Sequence, residues 1–404
     1  INNPENDDIK YYYPTNDLIT APEILFFWVA RMIIAGYEYR DEKTFKNVYL
    51  TGIVRDKQRR KMSKSLGNSP DPIDLMKIYG ADGVRVGMLF CSPAGGDLLF
   101  DESLTEQGRN FANKIWNAFR LVTTWDVDET IPAPESSKIA VEWFNQKLNE
   151  TIETLDKQFD DYRLSEALMT VYRLIWDEFA SWYLEMIKPA YMAPIDKQTY
   201  EASLAIFDKV LKLLHPFMPF ITEEIWQLLE ERKDGDSIMM EAQPKAGMSN
   251  ATFLKDFEMS KEAISAIRKV RAEKQISYKE ELRLMIKSDS GKYNSQFDSL
   301  IVKMANLSEI ETCTEKPEGA ISFIVGTDEY FIPLAGKVNV AEELEKLEKE
   351  LKYQTGFMTA VSKKLSNERF VNNAPPKVIE NERQKLADAE SKINSLKEQI
   401  AGLK

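Results

Sequence analysis

Apolar positions recur along this chain with two different periods, and the changes of period mark out its parts. From residue 101 to 232 they return every three or four residues, the spacing of helices that bury one face. The spacing predicts five helices, over 102–125, 137–158, 162–190, 197–216 and 219–232. In the third, Ala167, Val171, Leu174, Ile175, Phe179, Trp182 and Met186 make a stripe wide enough for a bundle core. Pro189 ends that helix, and Pro219 opens the fifth at its first turn. Residues 233–258 read as a loop-rich crossing. A small α+β module follows, with helices over 259–273 and 293–305 and strands over 282–286, 309–313, 320–325 and 330–333. The last two strands form a hairpin across 326–329.

Near the end the helical period sharpens to heptads. Val340, Leu344, Leu347, Leu351, Gln354, Met358, Val361 and Leu365 step by four and three, as do Ile379, Glu382, Leu386, Ala389, Ile393, Leu396, Ile400 and Leu403. Each run holds about four heptads, enough for a coiled coil. Asn372, Asn373, Ala374, Pro375 and Pro376 separate them. The prolines favour an antiparallel hairpin within one chain, about 40 Å long at 1.5 Å per residue. The alternative is a dimerisation coil. The first hundred residues alternate instead. A loop leads into a strand at Asp17, Leu18 and Ile19, and a helix starts at Pro22. A strand covers 45–54, and two helices follow Asp71 with a break at Gly80. The turn-rich stretch 92–97 puts a domain boundary near residue 100.

Composition adds limits. A chain of 404 residues holds two to four domains. It lacks a run of about 18 apolar residues, so no membrane span is expected. Its polar, acidic start does not read as a signal peptide. Cys91 and Cys313 lie too far apart for a disulfide framework or a zinc site and fit a reducing cytoplasm. A net charge of −12 argues against unspecific coating of nucleic acid but leaves room for local basic patches. One such patch is the side of helix 259–273 that carries Arg268, Lys269 and Arg271, continued by Lys274; a solvated face is the alternative.

The chemistry concentrates in residues 60–68, Arg60, Lys61, Met62, Ser63, Lys64, Ser65, Leu66, Gly67 and Asn68. A strand precedes this cationic, hydroxyl-rich loop and a helix follows it, an arrangement suited to a polyphosphate. Ammonium groups neutralise anionic oxygens while hydroxyls and loop amides donate to them. A solvated basic turn is the bland alternative.

The string Lys61 to Ser65 resembles the second signature of class I aminoacyl-tRNA synthetases. Its neighbours narrow the resemblance to the valyl branch: residues 13–20, 25–32, 114–118, 215–226 and 364–370, in family order along nearly the whole chain. The string 26–32 and the terminal hairpin speak against the isoleucyl and leucyl branches.

The resemblance implies a mainly α architecture in four parts. Residues 1–100 would be the C-terminal remnant of a Rossmann-type α/β catalytic domain, and 101–232 an anticodon-binding helical bundle. Residues 233–336 would be a linker and the small α+β module, and 337–404 a tRNA-binding antiparallel coiled-coil hairpin. It implies ATP, with Mg2+ as its counter-ion, valine and tRNA(Val) as ligands, in a cytoplasmic monomer without zinc or another protein-bound metal. Lys61 and Lys64 would be catalytic, meeting charge on the departing pyrophosphate, and Lys61, Met62, Ser63, Lys64 and Ser65 would bind ATP. Trp28 would wall the valine pocket; ordinary core is its other reading. Arg109, Asn113 and Lys114 would face tRNA, as would Lys363, Lys364 and Arg369 near the hairpin turn. Trp116 reads more readily as core. The family's first signature, His-x-Gly-His, cannot come from His215 alone, which instead suits a helix end, bonded to a free carbonyl. That signature and an editing insert are expected upstream of residue 1, so the chain alone would bind tRNA without activating valine.

Overall fold

The computed structural model describes residues 6–92, 95–288, 293–333, 340–366 and parts of 379–400. The chain divides into two units, 1–255 and 256–404.

The first unit opens on a helix where a loop was expected, Asp7–Tyr12 (α1). The Asn6 side chain caps it by accepting from the amides of Asp8 and Ile9. Thr15–Thr20 (β1) follows. The helix expected from Pro22 begins irregularly. A 3-10 turn at Pro22–Ile24 and a wide π-type turn at Leu25–Val29 precede Ala30–Arg40 (α2). The strand expected over 45–54 is two strands, Phe45–Leu50 (β2) and Val54–Arg55 (β3). They part at Gly52, where a Cβ would stand 2.0 Å from the Gly96 carbonyl oxygen. The backbones cross there too closely for any side chain.

Asp71 caps Pro72–Tyr79 (α3), accepting from the Ile73 amide at 2.8 Å. Gly80 breaks the chain in a left-handed conformation before Ala81–Phe90 (α4), and Leu98–Leu99 (β4) follows. β1 runs parallel to β2, and β3 parallel to β4. Leu75, Val84, Cys91, Leu98 and Phe100 form a buried cluster against which Val54 and Met62 pack.

The five expected bundle helices are present: Glu102–Thr123 (α5), Glu135–Asp160 (α6), a third run, Lys197–Leu214 (α9) and Pro219–Leu229 (α10). The third run is Leu164–Arg173 (α7), a π-type stretch Leu174–Tyr183 and Leu184–Ile187 (α8). A short parallel pair, Val127–Asp128 (β5) with Ile195–Asp196 (β6), ties two of the loops. Phe111, Trp143, Phe144, Phe179, Tyr183, Phe207 and Trp226 are fully buried. Each such side chain contributes roughly 1.5–3 kcal/mol of transfer free energy.

Two devices bind α4 to the bundle. A Cβ on Gly108 would meet the Gly83 carbonyl oxygen at 2.5 Å, so α4 and α5 touch through backbone. Asp82 accepts from the amides of Phe220 and Ile221 at the start of α10, at 3.3 and 2.7 Å. Arg85 donates to the carbonyls of Phe217 and Pro216, at 3.1 and 3.0 Å. One acid and one base four residues or fewer apart thus satisfy orphan groups on both sides of the α9–α10 corner. His215 ends α9 as expected, but its Nδ1 pairs with the Thr222 hydroxyl at 2.7 Å rather than with a carbonyl.

Ala251–Glu273 (α11) begins in the last residues of the first unit, eight residues before the expected 259, and most of it belongs to the second. Leu282–Lys287 (β7), Asp298–Ala305 (α12), Leu307–Thr312 (β8), Ala320–Val325 (β9) and Asp328–Pro333 (β10) complete the α+β module. The sheet order is β8-β7-β10-β9, with β7 and β8 parallel and β10 antiparallel to both neighbours. The expected β9–β10 hairpin is there. Of the basic side of α11, Arg271 is corrected to an interior residue: it is 3% exposed, and Arg268 also turns inward to the Met304 carbonyl. Val340–Leu365 (α13) carries the first heptad run. Val361 from that run and Ala389, Ile393, Leu396 and Ile400 from the second are buried.

Candidate functional site

The site is built by residues 54–68. β3 ends at Arg55, and the chain reverses in a turn closed by the Arg59 amide on the Asp56 carbonyl at 2.8 Å. Arg59 takes a left-handed conformation there, φ 64°. The Met62 amide returns to the Val54 carbonyl at 3.1 Å, which sets Lys61 opposite Arg55. Met62 packs against the Leu75–Phe100 cluster, so the one apolar residue inside the Lys61 to Ser65 string anchors the loop. Beyond it, Ser63 caps a single 3-10 turn, Lys64–Leu66, its Oγ accepting from the Leu66 amide at 3.3 Å. The Ser63 and Ser65 hydroxyls lie 3.2 Å apart. Gly67 leaves the turn at φ 64°, a conformation glycine adopts without strain.

The two lysines differ. Lys61 Nζ is paired with the Glu23 carboxylate, at 2.5 and 3.1 Å. Lys64 is exposed on the 3-10 turn, with no carboxylate partner among the described residues. An exposed ammonium, two adjoining hydroxyls and a short helical turn can together receive a phosphate.

Sequence reasoning gave no role to the residues that hold this loop. Asp56, 9% exposed, accepts from the amides of Gln58 and Arg60, from Arg60 Nε and from Asn68 Nδ2, all at 2.8–2.9 Å. Arg55 is held by an ion pair with Asp97. The available signal was a carboxylate four residues before an arginine and an amide just after the glycine. The Asn68 hydrogen bond, with further ones from Arg60, pulls the Asp56 carboxyl down to about 2, against the opposing effect of burial. Because this value lies below the unfolded one, Asp56 stabilises the loop fully above about pH 4, and that contribution is lost as the pH falls through 2. A carboxyl-carbon NMR titration is expected to place its midpoint near 2, and Asn68→Ala should raise it; an ordinary midpoint in the unaltered chain would contradict the geometry.

The other expected site residues are scattered. Trp28 is 58% exposed in this chain, in a row with Phe26 and Phe27 on the wide turn before α2. Asn113 is exposed on α5. Arg109 pairs with Glu106 at 3.2 Å and lies over the Tyr79 ring, while Lys114 lies over the Trp176 ring, 5.3 Å from its centroid. Trp116 is half-buried against Phe119. Lys363 is exposed near the end of α13, and Lys364 reaches Glu382 at 3.1 Å. Arg369 lies outside the described residues.

Comparison with known proteins agrees with the loop. Residues 1–101 match the family described as tRNA synthetases class I (I, L, M and V). Residues 141–286 match the anticodon-binding domain of tRNA ligase, and 339–404 the valyl tRNA synthetase tRNA binding arm. The chain is 59% identical over 403 residues to a valine–tRNA ligase of Parabacteroides distasonis, covering 100% of this chain and 46% of that protein. It is 59% identical over 404 residues to that of Phocaeicola vulgatus, covering 100% and 46%. It is 55% identical over 400 residues to that of Christiangramia forsetii, covering 99% and 46%. The chain therefore spans about half the length of these relatives, matching their C-terminal part. A lysine loop folded in this way, followed in order by the anticodon-binding and arm matches, places the chain in the valyl-tRNA synthetase family of class I synthetases.

Proposed function

We propose that this chain is the part of a valine–tRNA ligase that supplies the lysine loop for valine activation and the surfaces that hold tRNA(Val). The observation that carries the reading is the exposed Lys64 on a turn whose flanks are pinned at Asp56. In the reaction, the valine carboxylate attacks the α-phosphate of ATP, pyrophosphate leaves, and the acyl group passes to the terminal ribose of tRNA. Lys61 and Lys64 take the charge that builds on pyrophosphate, with Ser63 and Ser65 donating beside them. Catalysis of this kind is positioning plus charge stabilisation. Mg2+ is proposed to enter with the nucleotide as its counter-ion. Exposed Trp28 is available to wall the valine side chain. The only histidine, His215, is engaged with Thr222 in the bundle. Activation is therefore assigned to the longer protein, and loop and tRNA surfaces to this chain.

The two parallel strand pairs support reading residues 1–100 as the remnant of a Rossmann-type sheet. The match over 141–286 supports anticodon recognition by the bundle; Arg109, Asn113 and Lys114 of α5, which lie before the matched residues, are proposed as further polar contacts. Burial of Val361, Ala389 and Ile393 and the Lys364–Glu382 pair support an intrachain coiled-coil hairpin, and hence a monomer. Lys363, Lys364 and Arg369 would meet phosphates at its far end. No described helix is long and apolar enough to cross a membrane, and a cytoplasmic ligase is proposed. Filter binding tests the reading. The 404-residue chain is expected to retain valine tRNA above isoleucine tRNA, with affinity falling as salt rises. Indifference to valine tRNA, or preference for isoleucine tRNA, overturns it.

A further inference from the structure

We propose that Asp56 and Asn68 form a latch that sets the geometry of the lysine loop, and that both are positioning residues for valine activation; this rests on the ligase reading above. The two residues stand on opposite flanks of the loop, twelve positions apart, and Asn68 Nδ2 donates to Asp56 Oδ2 at 2.9 Å. The same amide donates to the Lys61 carbonyl at 3.3 Å, and Asn68 Oδ1 accepts from the Ser63 amide at 3.0 Å. Asp56 meanwhile holds the Arg60 amide and Nε. The Arg60 and Ser63 amides and the Lys61 carbonyl are therefore all held by one buried carboxylate and one carboxamide. Neither side chain is itself placed to meet a phosphate: Asp56 is anionic and 9% exposed, and both polar atoms of Asn68 are already committed.

The division of labour within the loop follows. Below the latch, Lys61 is fixed in register with β3. Above it, only the 3-10 turn Lys64–Leu66 projects, with its tip closed by Ser63 Oγ. Releasing the latch leaves both lysines chemically intact but lets the turn drift from the hairpin. Misplacement of a reacting group by about 1 Å costs on the order of 10²-fold in rate. The signature thus needs its asparagine to aim its lysines.

Asn68→Ala tests this in two measurements. In the 404-residue chain, hydrogen exchange at the Ser63 amide should quicken by about 10-fold or more, as expected for loss of a bond worth about 1.4 kcal/mol. In the full-length ligase, valine-dependent pyrophosphate exchange should lose about 10- to 100-fold in kcat with the KM for valine unchanged. The swap Asp56→Asn with Asn68→Asp re-forms the bond between the two side chains but sets a carboxylate against the Lys61 carbonyl and an amide against Arg60 Nε, so it should recover only part of the rate, whereas Asn68→Asp alone sets two carboxylates together and should recover none. Unchanged Ser63 exchange, or faster exchange with an intact kcat, overturns the latch. Loss of rate in Lys64→Ala without loss in Asn68→Ala overturns the latch and leaves the ligase reading standing. Full rate in both variants overturns the assignment of the lysine loop to valine activation, and the latch with it.

Discussion

Lys64→Ala is expected to slow valine activation by about 10²–10³-fold in the full-length ligase, the cost of removing one preorganised donor, about 2.7–4 kcal/mol. The reasoning starts from what Lys64 does before substrate arrives. It stands on an exposed 3-10 turn with no carboxylate partner among the described residues, so its charge is not already neutralised. Its neighbour Lys61 is, by Glu23 at 2.5 Å. An anion reaching the loop must displace Glu23 to engage Lys61, but meets Lys64 directly. The benefit of Lys64 grows as the pyrophosphate separates, because that is when its bridging oxygen gains charge. The loss should therefore appear in kcat of pyrophosphate exchange, with the KM for valine nearly unchanged. Lys64→Arg keeps the charge but not the compact head group, and should recover only part of the rate. If activation kept its rate while tRNA binding fell, Lys64 would belong to the RNA surface instead.

Much of this architecture can be read from periodicity. The bundle helices, the β7 alternation and the heptad seam are long patterns, and a long pattern survives local exceptions. Gln354 and Glu382 show the strength of the seam: both are polar, both fall on heptad positions, and both are buried. What escaped is short or depends on contact across the chain. The α1 helix is six residues set by one asparagine cap, and a loop composition hid it. The strand over 45–54 divides because another backbone crosses at Gly52, which no local pattern announces. In the site, the lysines and serines were visible as a motif. Asp56 was not, because its importance lies in four hydrogen bonds gathered by the fold.

Arg271→Ala is expected to be the most destabilising polar substitution of the second unit, costing about 1.5–3 kcal/mol. Periodicity placed Arg271 on a basic helix side with Lys269. The fold separates them. The Arg271 guanidinium makes five hydrogen bonds, all to backbone carbonyls: two to Ala305 at 3.2 and 3.0 Å, and one each to Asn306, Ser277 and Glu280 at 2.8, 3.0 and 2.8 Å. These carbonyls lie at the C-terminal end of α12 and in the turn before β7. Asn306, Ser277 and Glu280 each have one further donor, from the Leu282 amide, the Glu280 amide and Asn306 Nδ2, and the Ala305 carbonyl depends on Arg271. Alanine would leave the Ala305 carbonyl without a donor, cut the other three carbonyls to one donor each, and open a cavity. Lysine could satisfy one or two but lacks the planar fork, so Arg271→Lys should recover only part of the loss. Lys269, whose side chain is 76% exposed, is the control, and Lys269→Ala should stay within about 0.5 kcal/mol. Because the chain has two units, a single melting temperature would blur the result. Hydrogen exchange across α12 and β8 during denaturant titration reads it directly. Protection there should collapse in Arg271→Ala and persist in Lys269→Ala. Equal protection in both would return Arg271 to the solvated basic face on which its spacing had placed it.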